Sequence, residues 1–276
     1  MTLFLTSLLI PVSDSKFPEA VAHTPNQSPV INSPIDGETL TFEAGQGIEA
    51  KIHVGTTDSD GDFVNINNTP LPEGAFYEFV EQFEGLTDAS ITFEDGHPFV
   101  GTYSVTFTAV DEHGAASSPV TIEIVVVPPD YLDLQSAKLK VNKHHVKLQI
   151  NVEGSVAPTI QRPPYGFAAL TSDGNGLLAV TTHAGILDSE DQTDPGDDTF
   201  HTHVVDVVSS DDCANGIKVV SASLESPGTL TVGSNKATVK KAPAGNFGEF
   251  DGTIISFILT IEEGTICVNP VDSIAK

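Results

Sequence analysis

The tightest constraint on this chain is its punctuation. Apolar stretches are short, rich in β-branched residues and stopped at both ends by glycine, aspartate, asparagine or proline. "GIEAKIHV", "GTYSVTFTAV", "VTIEIVVV", "KLKVNKHHVKLQINV", "GLLAVTTHAGIL", "IKVVSASL" and "TIISFILTI" are all of this kind. Branching at Cβ suits a pleated surface, and runs of this length between turn clusters read as strands. "DSDGD", "DEHGA", "SDGNG" and "SPG" supply the turns, since these residues pre-form or tolerate tight backbone. Only "AFYEFVEQF" carries some helical periodicity, and it is short. The fold class expected is therefore all-β.

At 276 residues there is enough chain for two cores, so two β-sandwich domains in tandem are expected. The break falls at "VVVPPDYLD", where Pro128 and Pro129 end a strand and cannot continue a central ladder. The first domain is placed at 24–128 and the second at 130–276.

Charge narrows the function classes. The net charge of −26 repels nucleic acid and anionic membrane surfaces, and Arg162 is the single arginine available for bidentate phosphate recognition. Partners are expected to be other surface or matrix proteins, or a second copy of the chain, and not nucleic acid. The acidity is uneven. From Phe17 to Ala137 there are twenty Asp and Glu against Lys51 alone; from Lys138 onward there are seventeen against ten cations. Such acidity suits either salty water or divalent cations as counter-charges.

The opening run "MTLFLTSLLIPV" is too short to span a bilayer, and "AVA" at 20–22 offers a small-x-small cleavage site. Residues 1–22 read as a signal peptide, and no later run reaches membrane length. Cys213 and Cys267 fit one disulfide in an exported protein, worth roughly 4 kcal/mol in the chain-entropy model. Two buried thiols are the alternative. An extracellular or cell-surface location follows from the leader and the bridge together.

The acidic loop "DSDGD" can be read on its own. Asp58, Asp60 and Asp62 alternate, and Gly61 permits the sharp turn that converges hard oxygen ligands on one cation. An Asp/Gly turn with no bound ion is the plain alternative. Around it, "NQSPVINSPIDGETLTFEAGQGIEAKIHVGTTDSDGDFVNINNTPLPEGAFYE" and "GTYSVTFTAVDEHGAASSPVTIEIVV" resemble the immunoglobulin-like, cadherin-like modules of large prokaryotic surface proteins. The marks are Pro29, Glu43, "DSDGD", "LPEGA", Asp111 and Gly114, over about 100 residues. The resemblance implies a calcium site in which Glu43 and Asp111 join Asp58, Asp60 and Asp62. It also implies adhesion, spacing or presentation at a surface, and no catalysis.

The second half holds the other candidate, "VTTHAGILDSEDQTDPGDDTFHTHVVDV". His201 and His203 share one face of a strand by parity. If His183 joins them, three imidazoles make a zinc or copper site with an open position, and Asp188, Glu190 or Asp198 could add an oxygen. Polar decoration of a half-solvated strand, or a pH-responsive charge cluster, are the competing readings. Asp206 faces the other way by the same parity. His144 and His145 are adjacent and cannot simply share a site; with Lys138, Lys140 and Lys147 they form the one basic patch.

There is no G-x-S-x-G elbow, and the absence of tryptophan disfavours a sugar-binding cleft. The favoured expectation is a calcium-binding surface protein with an adhesion, matrix or scaffold role and a His-rich metal site. The competing ones are a metalloenzyme working through a metal-bound water and a metal-capture protein.

Overall fold

The computed structural model describes residues 25–83, 85–157, 163–182, 199–223 and 226–275. Among them the regular structure is strand throughout, apart from two short 3-10 turns. The first unit contains β1 (Val30–Ser33), β2 (Thr39–Glu43), β3 (Ile52–Thr57), β4 (Val64–Asn68), β5 (Ala75–Phe83), β6 (Leu86–Phe93), β7 (Gly101–Asp111) and β8 (Val120–Val127). They form two sheets, β1-β3-β6-β5 and β2-β8-β7-β4. This is the four-plus-three arrangement of an immunoglobulin sandwich, with β2 added parallel to β8. Ile52, Val54 and Ile91 of one sheet meet Val105, Phe107, Ile122 and Ile124 of the other, all at most 1% exposed. Burying each stabilises by about 1.5–3 kcal/mol. The helical period of "AFYEFVEQF" is overridden: β5 is the edge strand, paired along its length to β6 through a bulge between Phe79 and Glu81.

Pro128 and Pro129 lie between β8 and the first strand of the second unit. There β9 (Leu134–Val141), β10 (His145–Val152), β15 (Thr229–Val232) and β16 (Lys236–Pro243) make a four-stranded sheet. The second layer is rolled shut. β11 (Tyr165–Thr171), β12 (Leu177–Thr181), β13 (His201–Ser209), β14 (Ile217–Ala222), β17 (Phe250–Glu262) and β18 (Thr265–Ile274) close into a six-stranded barrel.

The wall β12-β11-β17 serves two interiors. Phe167, Leu178, Val180, Ile254 and Ile258 point out of the barrel onto Leu148, Ile150 and Val239 of the sheet. Ala168, Ala179, Ile255 and Phe257, the intervening residues, point into the barrel. Because both faces are buried, these strands read as unbroken apolar runs and not as alternation.

The two units are in contact. A Cβ built on Gly45 would stand 2.7 Å from Ile258 Cδ1, and one on Gly96 2.6 Å from Thr260 Cγ2. Glycine at these positions lets the loops of the first unit lie directly on β17.

Candidate functional site

The acidic loop links β3 to β4 at one end of the first sandwich. Asp58 is 7% exposed, and its Oδ1 accepts the backbone N–H of Asp60 at 2.8 Å and of Asp62 at 3.3 Å. Gly61, at φ +87°, makes the turn possible. The N–H of Gln27 donates to Asp60 Oδ2, and Asp62 Oδ2 lies 2.9 Å from His113 Nδ1. The loop is latched from behind by Gly85, which accepts from Asp58 N at 2.8 Å and donates to Asp62 O at 3.3 Å. One carboxylate oxygen each from Asp58, Asp60 and Asp62 falls within 4.8 Å of the others. Asp58 Oδ2 is buried without a hydrogen-bond partner. A carboxylate oxygen so placed is costly unless a donor or a cation answers it.

Asp111 stands beside this loop, opposite Val64 in the β4–β7 register. Its Oδ2 accepts from Asn26 Nδ2, and its Oδ1 from the N–H groups of His113 and Ala115, each at 2.9 Å. Burial pushes its carboxyl up, but the hydrogen bonds from Asn26, Ala115, His113 and Gly114 outweigh that and hold it below the ordinary range. Asp111 therefore buttresses the loop, and it is not among the three clustered carboxylates. The His113 imidazole is held above its ordinary value by the hydrogen bond and the charge of Asp62.

Glu43 requires a correction. β2 runs parallel to β8, pairing Glu43 with Val127, whereas Asp111 ends the antiparallel β7, whose Gly101 end pairs with Val126. Glu43 thus sits at the opposite end of the sandwich, about 30 Å away along β7. The sequence spacing could not reveal this, because it does not specify which way the short strand β2 joins the sheet. Asn26, Gln27, Gly85 and His113 were not singled out by the sequence reading. Gln27 and Gly85 meet the loop through backbone, His113 through its ring and Asn26 by way of Asp111, contacts between distant segments of which spacing gives no signal.

In the second unit His201 and His203 share the inward face of β13, with ring centroids 6.4 Å apart. His203, 2% exposed, pairs in register with Ala179, and His201 with Thr181. The Nδ1 of His203 lies 3.0 Å from the Ser223 carbonyl, which can only accept, so Nδ1 carries a proton. His183, Asp188, Glu190 and Asp198 lie outside the described residues. Among the described residues no third ligand-bearing side chain joins His201 and His203. Asp206 faces outward, accepting from Gly176 N and Ser221 Oγ, both at 2.7 Å.

Cys213 and Cys267 form the disulfide, with Cα atoms 5.5 Å apart. It crosses the β14–β18 seam, where register rests on the single pair Lys218↔Cys267. Beside it, Asn215 Nδ2 donates to Asn269 Oδ1 on β18 and Ala214 N to Glu262 Oε2 at the end of β17, both at 2.8 Å. Such a bridge belongs to proteins of oxidising compartments, consistent with a cell-surface or extracellular place. Among the described residues no helix is long and apolar enough to cross a membrane.

No family model matches the sequence, and no curated protein does. Solved structures with some likeness include the SrpA adhesin of Streptococcus sanguinis, at 16% identity and TM-score 0.29, covering 46% of this chain and 88% of that one. A domain of intimin matches at 14% identity and TM-score 0.27, covering 88% and 98%. A tandem of titin immunoglobulin domains matches at 11% identity and TM-score 0.29, covering 90% and 98%. These neighbours are bacterial adhesin and immunoglobulin-like domains, and at such scores neither family nor function passes from them to this chain.

Proposed function

We propose that the protein is an extracellular or cell-surface module of adhesion, matrix or scaffold type, whose first sandwich binds calcium through Asp58, Asp60 and Asp62. The observation that carries this is Asp58 Oδ2, a buried carboxylate oxygen without a partner inside a group of three carboxylates. Calcium takes six to eight oxygen ligands in flexible geometry, so backbone carbonyls and water would complete the shell. A bound cation would also neutralise three carboxylates that otherwise repel one another, stiffening the loop end of the sandwich. A stiff, acidic, strand-built module suits reach and presentation better than turnover.

The test is the melting temperature of the chelator-stripped protein with and without millimolar calcium. Calcium is expected to raise the midpoint, and the Asp58→Asn, Asp60→Asn double variant to abolish the rise. A rise that survives both substitutions removes calcium from this loop.

A further inference from the structure

We infer that the barrel of the second unit is a binding site for a small, neutral, mostly apolar molecule. The inference is independent of the acidic loop. Inside the barrel lies a cavity of about 600 Å³, within the size range of small-molecule sites. Its apolar lining mixes small residues such as Ala168, Ala179 and Val268 with the larger Ile255, Phe257 and Leu259. Ala168 and Ala179 are register partners, and Ala179 pairs onward with His203, so the least bulky belt lies level with the imidazole.

The strands could have filled this space. Their opposite faces carry Phe167, Leu178 and Ile254, each fully buried against the four-stranded sheet. Protein interiors are close-packed, and unfilled volume lined by apolar side chains loses contacts that water does not restore.

His203, Thr181 and Thr182 in the lining are buried, whereas Asp173, Val208, Ser209, Ala222 and Pro270 are exposed, so the cavity meets solvent. From His203 to Ser209 along β13 is six residues, about 20 Å, which gives an elongated slot suited to an alkyl chain or a row of fused rings. The His203 imidazole is held by its hydrogen bond to the Ser223 carbonyl. Among the described residues no lysine or arginine lines the slot, and Asp173 stands at its mouth, so a carboxylate would enter without a countercharge from them and past a like charge. A neutral head is therefore favoured over an acid.

Fluorescence titration of the intact, oxidised protein with N-phenyl-1-naphthylamine tests this. Saturable one-site binding is expected, with displacement by dodecanol at least tenfold better than by dodecanoate at neutral pH. Ala179→Phe, which puts a ring across the narrowest belt, is expected to weaken the probe at least tenfold without lowering the melting midpoint. Val268→Leu, a milder filling of the opposite wall, should weaken it about threefold, again without loss of midpoint. Absence of saturable binding, or equal binding by the wild type and both variants, overturns the site. A lowered midpoint in both variants overturns it too, since the interior would then already be full. Equal displacement by dodecanoate overturns the neutral head.

Discussion

The two units solve the same problem, burial of strand faces, in opposite ways. The first fills its interior with large side chains and leaves its polar chemistry on the loops, at the end where Asp58, Asp60, Asp62 and Asp111 gather. The second rolls one layer shut around an apolar cavity and brings its notable polar side chain, His203, inside. The first interior is a scaffold for a loop site; the second interior is itself the site. The difference goes with closure: the first unit packs two open sheets face to face, whereas in the second the ring closes through β14 and β18.

That closure is the first place to break the comparison, and the largest effect is expected there. The β14–β18 seam has one register pair and one disulfide, whereas β17–β18 pairs from Ile254↔Ile274 to Glu262↔Thr265. Replacing Cys213 and Cys267 by serine is expected to cost roughly 4 kcal/mol on the chain-entropy model. Native-state hydrogen exchange localises the loss: amides of β14 and β18 should exchange about a thousandfold faster, while those of β7 and β8 keep their protection. Equal acceleration in both units would mean that they unfold as one body, through contacts such as Gly45 on Ile258, and the comparison would fail.

Much of this division is legible in the sequence, and its limits are physical. The strands announce themselves by β-branched runs between turn residues, and "VTIEIVVV" is the clearest, its buried and partly exposed positions alternating as β8. The acidic loop is legible because convergence of Asp58, Asp60 and Asp62 is a local property of a tight turn. Glu43 fails as a partner because the direction of β2 is set by pairing to a strand some 80 residues later. The barrel is hidden for a related reason. "GFAALT" and "GLLAVTT" look like ordinary buried strands, and a run apolar on both faces does not say which face is packed and which is hollow. His201 and His203 share a face as parity requires, yet only closure of the ring turns that face inward.

A smaller effect sharpens the contrast between full and hollow interiors. Ile122 is 1% exposed in the first core, and Ile255 is 7% exposed against the barrel cavity. Ile122→Val should cost about 1 kcal/mol, the usual result of removing a methylene from a packed site. Ile255→Val should cost less than half of that in denaturant unfolding, because the methyl it removes already borders open volume. Equal costs would show that the two interiors are packed alike.

The smallest effect compares two carboxylates held below their ordinary value by different means. Asp212, beside the seam, is held down first by the hydrogen bond from Lys218 at 3.0 Å, then by Ser210 and by the ammonium's charge. Asp111, in the first unit, is lowered by neutral donors against the opposing push of burial. For both, the folded value lies below the unfolded one near 3.8. Each therefore stabilises the fold fully above that pH and loses its contribution as pH falls through the folded value. Salt should separate them. The Asp212 side chain is 59% exposed, so its pair with Lys218 is open to screening, and raising ionic strength from 0.1 to about 1 M shortens the screening length from about 10 to 3 Å. The Asp212 titration, followed by carboxyl NMR, should move up toward the ordinary value in high salt or in Lys218→Met, while that of Asp111 stays in place. If Asp111 moves as far as Asp212, its hydrogen-bonded setting is as open to ions as the seam, and the acidic loop end of the first sandwich is less sheltered than the burial of Asp58 and Asp111 implies.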